Sequence, residues 1–372
     1  MSKLKKVPIG VDNFKRVIDE NMCYVDKTDL IEDIIEKGAL VNLFPRPRRF
    51  GKTLTISMLE NYFNLKKKEE NEDLFRGLKI ENASESVKET QGKYPVISLN
   101  LKGIKDKTWE GEFMLLKNLL STIYKENMEV KEVLDDDELA EFVSIEKKIA
   151  TNDLYQLSLK KLSQYLVRYY KQPVIILIDE YDAPIENGFV NGFYDDVINF
   201  MRNFLGEALK TNDFLKFACL TGILRVSKES IFSGLNNLKI YSILDKKYSE
   251  YFGFLPKEVD ILLDRYGIEN KEKVKNWYNG YNFGGTEIYN PWSILNVLDD
   301  KIIQPYWVNT GGTTLLENVL KNAEGDVKKD LEDLMEGRTV KCRLNESIVF
   351  SEIDGSILKY GIAFNNKKAV MR

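Results

Sequence analysis

The stretch Leu40-Val-Asn-Leu-Phe-Pro-Arg-Pro-Arg-Arg-Phe-Gly-Lys-Thr53 decides how this chain folds. Leu40 to Phe44 is a short apolar run that breaks at Pro45-Arg46-Pro47, which reads as a buried strand entering a tight loop. From Lys52 the pattern changes. Leu54, Met58 and Tyr62 recur at i, i+4 and i+8, with Leu59 and Phe63 beside them, so a helix is predicted over 52–63. Strand, loop and helix in direct succession is the setting of a phosphate-binding loop, G-x-x-x-x-G-K-[ST]. Gly51-Lys52-Thr53 supplies the end of that pattern, while Arg46 stands where its first glycine belongs.

Two interpretations follow from this loop. As a plain helix start, Gly51-Lys52-Thr53 carries no chemistry. As an anion seat, the loop and the helix N-terminus aim backbone N–H groups and about half a positive charge at a phosphate. Lys52 then reaches the β- and γ-phosphates, and Thr53 ligates Mg²⁺. Pro45 and Pro47 have no N–H to donate, and Arg46 takes a glycine-like backbone only at a cost. Arg46, Arg48 and Arg49 bring guanidinium groups that replace lost backbone donors.

Further strands lie downstream. Tyr94-Pro-Val-Ile-Ser-Leu-Asn-Leu101 alternates apolar and polar residues. Pro173-Val-Ile-Ile-Leu-Ile178 is apolar on both faces, as a central parallel strand must be, and runs into Asp179-Glu180. Phe214-Leu-Lys-Phe-Ala-Cys-Leu220 ends in Thr221-Gly222. Helical patterns separate these strands, which predicts an α/β fold: a phosphate-loop parallel sheet with helices on both faces. Residues 64–93 read as a polar surface excursion, and Asp135-Asp136-Asp137-Glu138 as a solvated helix end. After about residue 245 a smaller, mostly helical segment is expected around Tyr278-Asn-Gly-Tyr-Asn-Phe-Gly-Gly285.

Asp179-Glu180 is the partner that the loop requires. An acid at the end of a neighbouring strand holds Mg²⁺, and a glutamate beside it polarises the attacking water. The alternative is a strand followed by a polar turn. Thr221 is either a γ-phosphate or water-orienting group or a turn residue. Arg225 is either a surface arginine or an arginine finger acting in cis or in trans, with Arg202 a weaker candidate. Asp182 contacts the loop arginines or is structural.

Composition removes whole classes of function. The chain has no histidine among its 372 residues, so Ser-His-Asp triads, Cys-His dyads and His-ligated zinc are excluded. Its three cysteines, Cys23, Cys219 and Cys342, fit no metal or redox spacing, and their odd number argues against a disulfide framework. The net charge of −4 argues against a surface built wholly for nucleic acid, though not against a local basic groove. The basic segment Met1-Ser-Lys-Leu-Lys-Lys-Val-Pro8 has no apolar signal core, and no run approaches the roughly 18 residues of a membrane span. A cytoplasmic protein without membrane association is expected.

Several motifs together resemble the AAA-ATPase-like family of bacterial and archaeal P-loop proteins. They are Phe44-Pro-Arg-Pro-Arg-Arg-Phe-Gly-Lys-Thr53, Ile178-Asp-Glu-Tyr-Asp-Ala-Pro184, Leu220-Thr-Gly-Ile-Leu-Arg225, Ile231-Phe-Ser-Gly-Leu-Asn-Asn237, Trp277-Tyr-Asn-Gly-Tyr281 and Tyr289-Asn-Pro-Trp292. The likeness runs from about residue 7 to residue 350, and within that family the arginine-rich loop is the usual form. It implies an ATPase domain over 1–245, a helical or winged-helix-like domain over 246–350 and a remnant tail over 351–372. It also implies ATP and Mg²⁺ as ligands. It carries over Lys52 and Thr53 as phosphate and Mg²⁺ residues and Asp179 with Glu180 as the acidic pair; with the reading of the residues above, Arg46, Arg48, Arg49, Phe50, Gly51, Lys52 and Thr53 form the expected nucleotide loop, Thr53 and Asp179 the metal site, and Glu180, Thr221 and Arg225 the catalytic set. Family members usually end in a PD-(D/E)xK-type nuclease domain. No such core is legible here. Glu146-Lys-Lys148 sits in a helical stretch, and Leu358-Lys-Tyr-Gly-Ile-Ala-Phe364 resembles a last strand beyond a deletion joint near Asp354-Gly355. Nuclease activity is therefore not expected.

Three functions compete at this level. One is a Mg²⁺-dependent ATPase working as a switch or motor. The second is a degenerate nucleotide-binding or interaction scaffold, with a protein partner or a second copy of itself. The third is a nucleic-acid-handling protein that uses the aromatics of 277–292 for base stacking, unless those rings form a packed core.

Overall fold

The computed structural model describes residues 4–210, 212–223, 231–232, 236–306, 341–342 and 370–371 of the chain. Arg225, the joint at Asp354-Gly355, the strand-like Leu358–Phe364 segment and most of the tail expected over 351–372 lie outside those residues.

Five parallel strands form the centre: β1 (Val41–Pro45), β2 (Val96–Asn100), β3 (Val174–Asp179), β4 (Leu215–Gly222) and β5 (Leu238–Ile240). Their spatial order is β2-β3-β4-β1-β5. Helices α1 (Phe14–Asp19) and α2 (Asp29–Lys37) precede β1, α3 (Lys52–Phe63) follows it, and the short α4 (Glu85–Lys88) precedes β2. Between β2 and β3 run α5 (Trp109–Lys125), α6 (Asp136–Glu146) and α7 (Asn152–Tyr170). Between β3 and β4 run α8 (Ala183–Asn191) and α9 (Tyr194–Leu209). After β5 come α10 (Pro256–Tyr266), α11 (Lys271–Tyr278), the hairpin β6 (Asn279–Phe283) with β7 (Thr286–Tyr289), and α12 (Pro291–Asp300). Among the described residues no helix is long and apolar enough to cross a membrane.

The period-2 geometry of a strand explains why β3 is apolar throughout. Val174, Ile176 and Ile178 enter the core beneath α5, α7 and α9, while Ile175 and Leu177 enter the core beneath α1, α2 and α3. Helices therefore cover both faces, as the alternating pattern predicted. The sequence also suggested that the loop strand and the acidic strand are neighbours. They are not: β4 pairs with both, placing Thr221 opposite Phe44 on one side and Leu220 opposite Ile178 on the other. Thr221 thus sits between the two motifs.

One other expectation is revised. Residues 64–93 are not a surface excursion, because Leu74, Phe75, Ile80 and Val87 are buried against the α3 side of the sheet. The core on that side also runs without a break into Tyr248, Phe252, Phe283 and Ile288. Val7 and Cys23 from the N-terminal arm pack with Val259, Tyr278 and Ile294. The acidic run behaves as expected: Asp135 and Glu138 form a capping box at the start of α6, and Glu138 is paired with Arg168.

Candidate functional site

β1 delivers the chain to the loop at Pro45. Arg46 then turns into the protein rather than toward the loop's open side. Its side chain is wholly buried, and its guanidinium donates to the carbonyls of Pro45 (2.9 Å), Tyr241 (2.6 Å) and Tyr248 (3.2 Å). It lies over the ring of Phe252 at 4.9 Å. Arg46 therefore acts as a strut between the loop and the segment after β5, and it does not line the cavity above the loop.

Arg48 and Arg49 take the other direction. Arg48 lines the cavity and faces Glu186 on α8 at 3.6 Å. Arg49 has left-handed backbone (φ 70°) and stacks on Trp292 at the start of α12, 4.1 Å from the ring centre. Phe50 is buried between Tyr281 (4.8 Å) and Phe283 (5.2 Å) of the hairpin. Gly253 (φ 95°) lies against it, and a Cβ there would come within 2.9 Å of the Phe50 ring. The hairpin and α12 thus hold the loop from outside the parallel sheet. This inward packing also takes most of the aromatics of 277–292 away from solvent. Tyr278, Phe283 and Tyr289 are buried, and Trp277 is exposed.

Gly51 takes φ 80° immediately before α3, and an added Cβ would meet nothing within 4 Å, so the backbone borders the open cavity. Lys52 is 5% exposed, and its ammonium donates to the carbonyls of Arg46 and Pro47, both at 3.0 Å. Burial lowers its pKa, opposed by the nearby carboxylates of Asp182, Glu180 and Asp179. The ammonium is thus within electrostatic reach of the acidic strand end.

Thr53 donates from its hydroxyl to Asp179 Oδ2 at 2.6 Å. Thr221 donates to the other carboxylate oxygen, and Asn100 Nδ2 donates to Oδ2 at 3.2 Å. Asp179 is 1% exposed and so collects hydroxyl and amide donors from three elements. Glu180 follows with left-handed backbone (φ 51°), a conformation that costs on the order of 1 kcal/mol for such a residue. It lines the cavity beside Lys52 and Thr53. Asp182 precedes α8 and accepts the backbone N–H of Ile223 at 2.9 Å, fixing the end of β4. Arg202 lies on α9 and does not line the cavity.

The cavity holds about 660 Å³, within the range of ligand pockets. Its lining combines the cations Arg48, Lys52, Lys102 and Lys105 with the apolar Val11, Val25, Phe254, Pro291, Trp292 and Leu295. Sequence reasoning missed Asn100, Lys102, Lys105 and the N-terminal arm. The first three have a signal, since ligands gather at the carboxyl ends of parallel strands and the alternation over 94–101 predicts one. The arm had none, because its approach depends on packing against α10 to α12.

The donor set suits a magnesium–phosphate group: a hydroxyl and a carboxylate are hard oxygen ligands, and Mg²⁺ is typically held by one or two carboxylates plus substrate phosphates. Residues 8–232 match the AAA-ATPase-like family model, described as "Predicted AAA-ATPase", a name that implies nucleotide binding. The chain is also 29% identical over 326 residues to a protein of Azotobacter chroococcum mcd 1 named "Uncharacterized protein in vnfD 5'region". That alignment takes in 85% of this chain but 56% of the relative, so the chain spans little more than half the relative's length. The family match contains the loop, the acidic strand end and Thr221 between them, and the chain belongs to the AAA-ATPase-like family.

Proposed function

We propose that the protein binds ATP with Mg²⁺ and hydrolyses it, working as a nucleotide-driven switch or motor. The observation that carries this reading is the 2.6 Å hydrogen bond from the Thr53 hydroxyl to Asp179, which joins the start of the loop helix to the acidic strand end. The cavity beside it has both cations, suited to phosphates, and apolar side chains, suited to a base, in its lining. Thr53 and Asp179 would hold Mg²⁺, which when bound neutralises charge on the β- and γ-phosphates.

The chain's own residues do the rest. Lys52 exchanges its two loop carbonyls for phosphate oxygens, a trade of neutral acceptors for charged ones that favours the bound state. Glu180 orients the attacking water and takes its proton. Thr221 keeps the Asp179 carboxylate in place. Arg48 adds positive charge at the cavity wall.

Lys52→Ala is expected to abolish ATP binding, and Glu180→Gln to bind ATP but lose turnover by about a hundredfold or more. A Glu180→Gln protein that hydrolyses ATP at the parent rate overturns the assignment. A nucleotide-holding scaffold without turnover is the second reading, favoured by Lys52 being engaged by its own loop. Saturable MgATP binding without phosphate release from the parent protein selects it.

A further inference from the structure

Two lysines on the cavity wall belong to neither motif. Lys102 and Lys105 sit in the turn that leaves β2, and both face the space lined by Lys52, Thr53 and Glu180. The turn is anchored to the acidic strand. Asn100 lies opposite Asp179 in the β2–β3 register, the Leu101 N–H donates to the Asp179 carbonyl at 3.0 Å, and the Lys102 N–H donates to Asn100 Oδ1 at 3.0 Å. Leu101 and Ile104 are buried and hold the turn down from below. Its far end is tied to α8, where Asn187 Nδ2 donates to the Asp106 carbonyl at 2.6 Å. A turn fixed at both ends restricts where the two ammonium groups can reach. Both side chains are exposed, and Lys105 is also within electrostatic reach of Glu112 on α5.

β2 lies beyond β3, on the side away from β1. Phosphates seated on the loop helix and extending toward Asp179 and Glu180 therefore present their terminal group to the turn after β2. Resting on the nucleotide reading above, we propose that Lys102 and Lys105 hold the terminal phosphate of a bound nucleoside triphosphate. The turn after β2 is then the element that tells triphosphate from diphosphate, and it does so within one chain.

The test is calorimetric titration of MgATP and MgADP into the parent protein, a Lys102→Ala/Lys105→Ala variant and a Lys102→Arg/Lys105→Arg variant. Each lost charge-assisted contact to phosphate is expected to weaken ATP binding about tenfold, with ADP affinity changed by less than about twofold and the arginine variant keeping most of the discrimination. ATP affinity unchanged in the alanine variant overturns the proposal, and so does an equal loss for ATP and ADP, which places the lysines on the inner phosphates or in the general field. A parent protein that binds neither nucleotide removes the nucleotide reading itself. If the alanine variant loses its fold by circular dichroism, the two single alanine variants give the same comparison.

Discussion

Replacing Arg46 with methionine separates two roles that an arginine-rich loop can play. Methionine keeps the length and apolar packing of the side chain but removes the charge and all its donors. The guanidinium serves two carbonyls far away in sequence, Tyr241 at 2.6 Å and Tyr248 at 3.2 Å, and both would remain inside the protein without that donor. A hydrogen bond from a charged donor contributes about 1.5–3 kcal/mol, with the longer bond at the low end. The stacked Phe252 adds about 1 kcal/mol, part of which methionine recovers. The expected loss is therefore about 3–5 kcal/mol of folding stability. Urea denaturation of the parent, Arg46→Met and Arg48→Ala proteins reads it, with Arg48→Ala within about 1 kcal/mol of the parent because its partner Glu186 is 3.6 Å away at a half-exposed site. ATP affinity, measured where Arg46→Met is still folded, should fall far less than in Lys52→Ala. An Arg46→Met protein of parental stability that no longer binds nucleotide refutes the strut assignment and returns Arg46 to the ligand.

Other substitutions probe the same framework. Phe50→Ala removes a ring buried between Tyr281 and Phe283 and is expected to destabilise by about 3–5 kcal/mol; a loss below 1 kcal/mol in the denaturation midpoint analysis means that the hairpin does not hold the loop. Thr221→Val deletes the hydroxyl that donates to Asp179 and should lower turnover about tenfold while Thr221→Ser preserves it; parental turnover in the valine protein contradicts the positioning role. Glu112, on α5, is buried, and burial pushes its carboxyl from the usual 4.5 up to about 7. The unfolded chain releases this proton around pH 4.5 and the folded state keeps it up to about pH 7, so stability falls as pH rises through that window, by roughly 3 kcal/mol. Glu112→Gln should flatten the decline in denaturation midpoints measured across the window, and superimposable parent and variant profiles count against it.

Local pattern was enough for the elements that carry the chemistry. The helix expected over 52–63 is α3 with the same bounds, and the doubly apolar run before Asp179 is the interior strand β3. Both are short-range facts: periodicity reports which faces are buried, and a glycine before Lys52 permits the left-handed turn that starts the helix. Tertiary structure decided how these elements meet. Nothing in the residues of β4 announces that it lies between β1 and β3, yet that order is what brings the Thr221 hydroxyl to Asp179. Charge alone could not sort the three loop arginines either. Arg46 goes inward because Tyr241 and Tyr248, about two hundred residues away, offer carbonyls there, whereas Arg49 finds Trp292 and Arg48 the cavity. Side-chain direction depends on partners that only the folded chain supplies, and sequence spacing does not encode them.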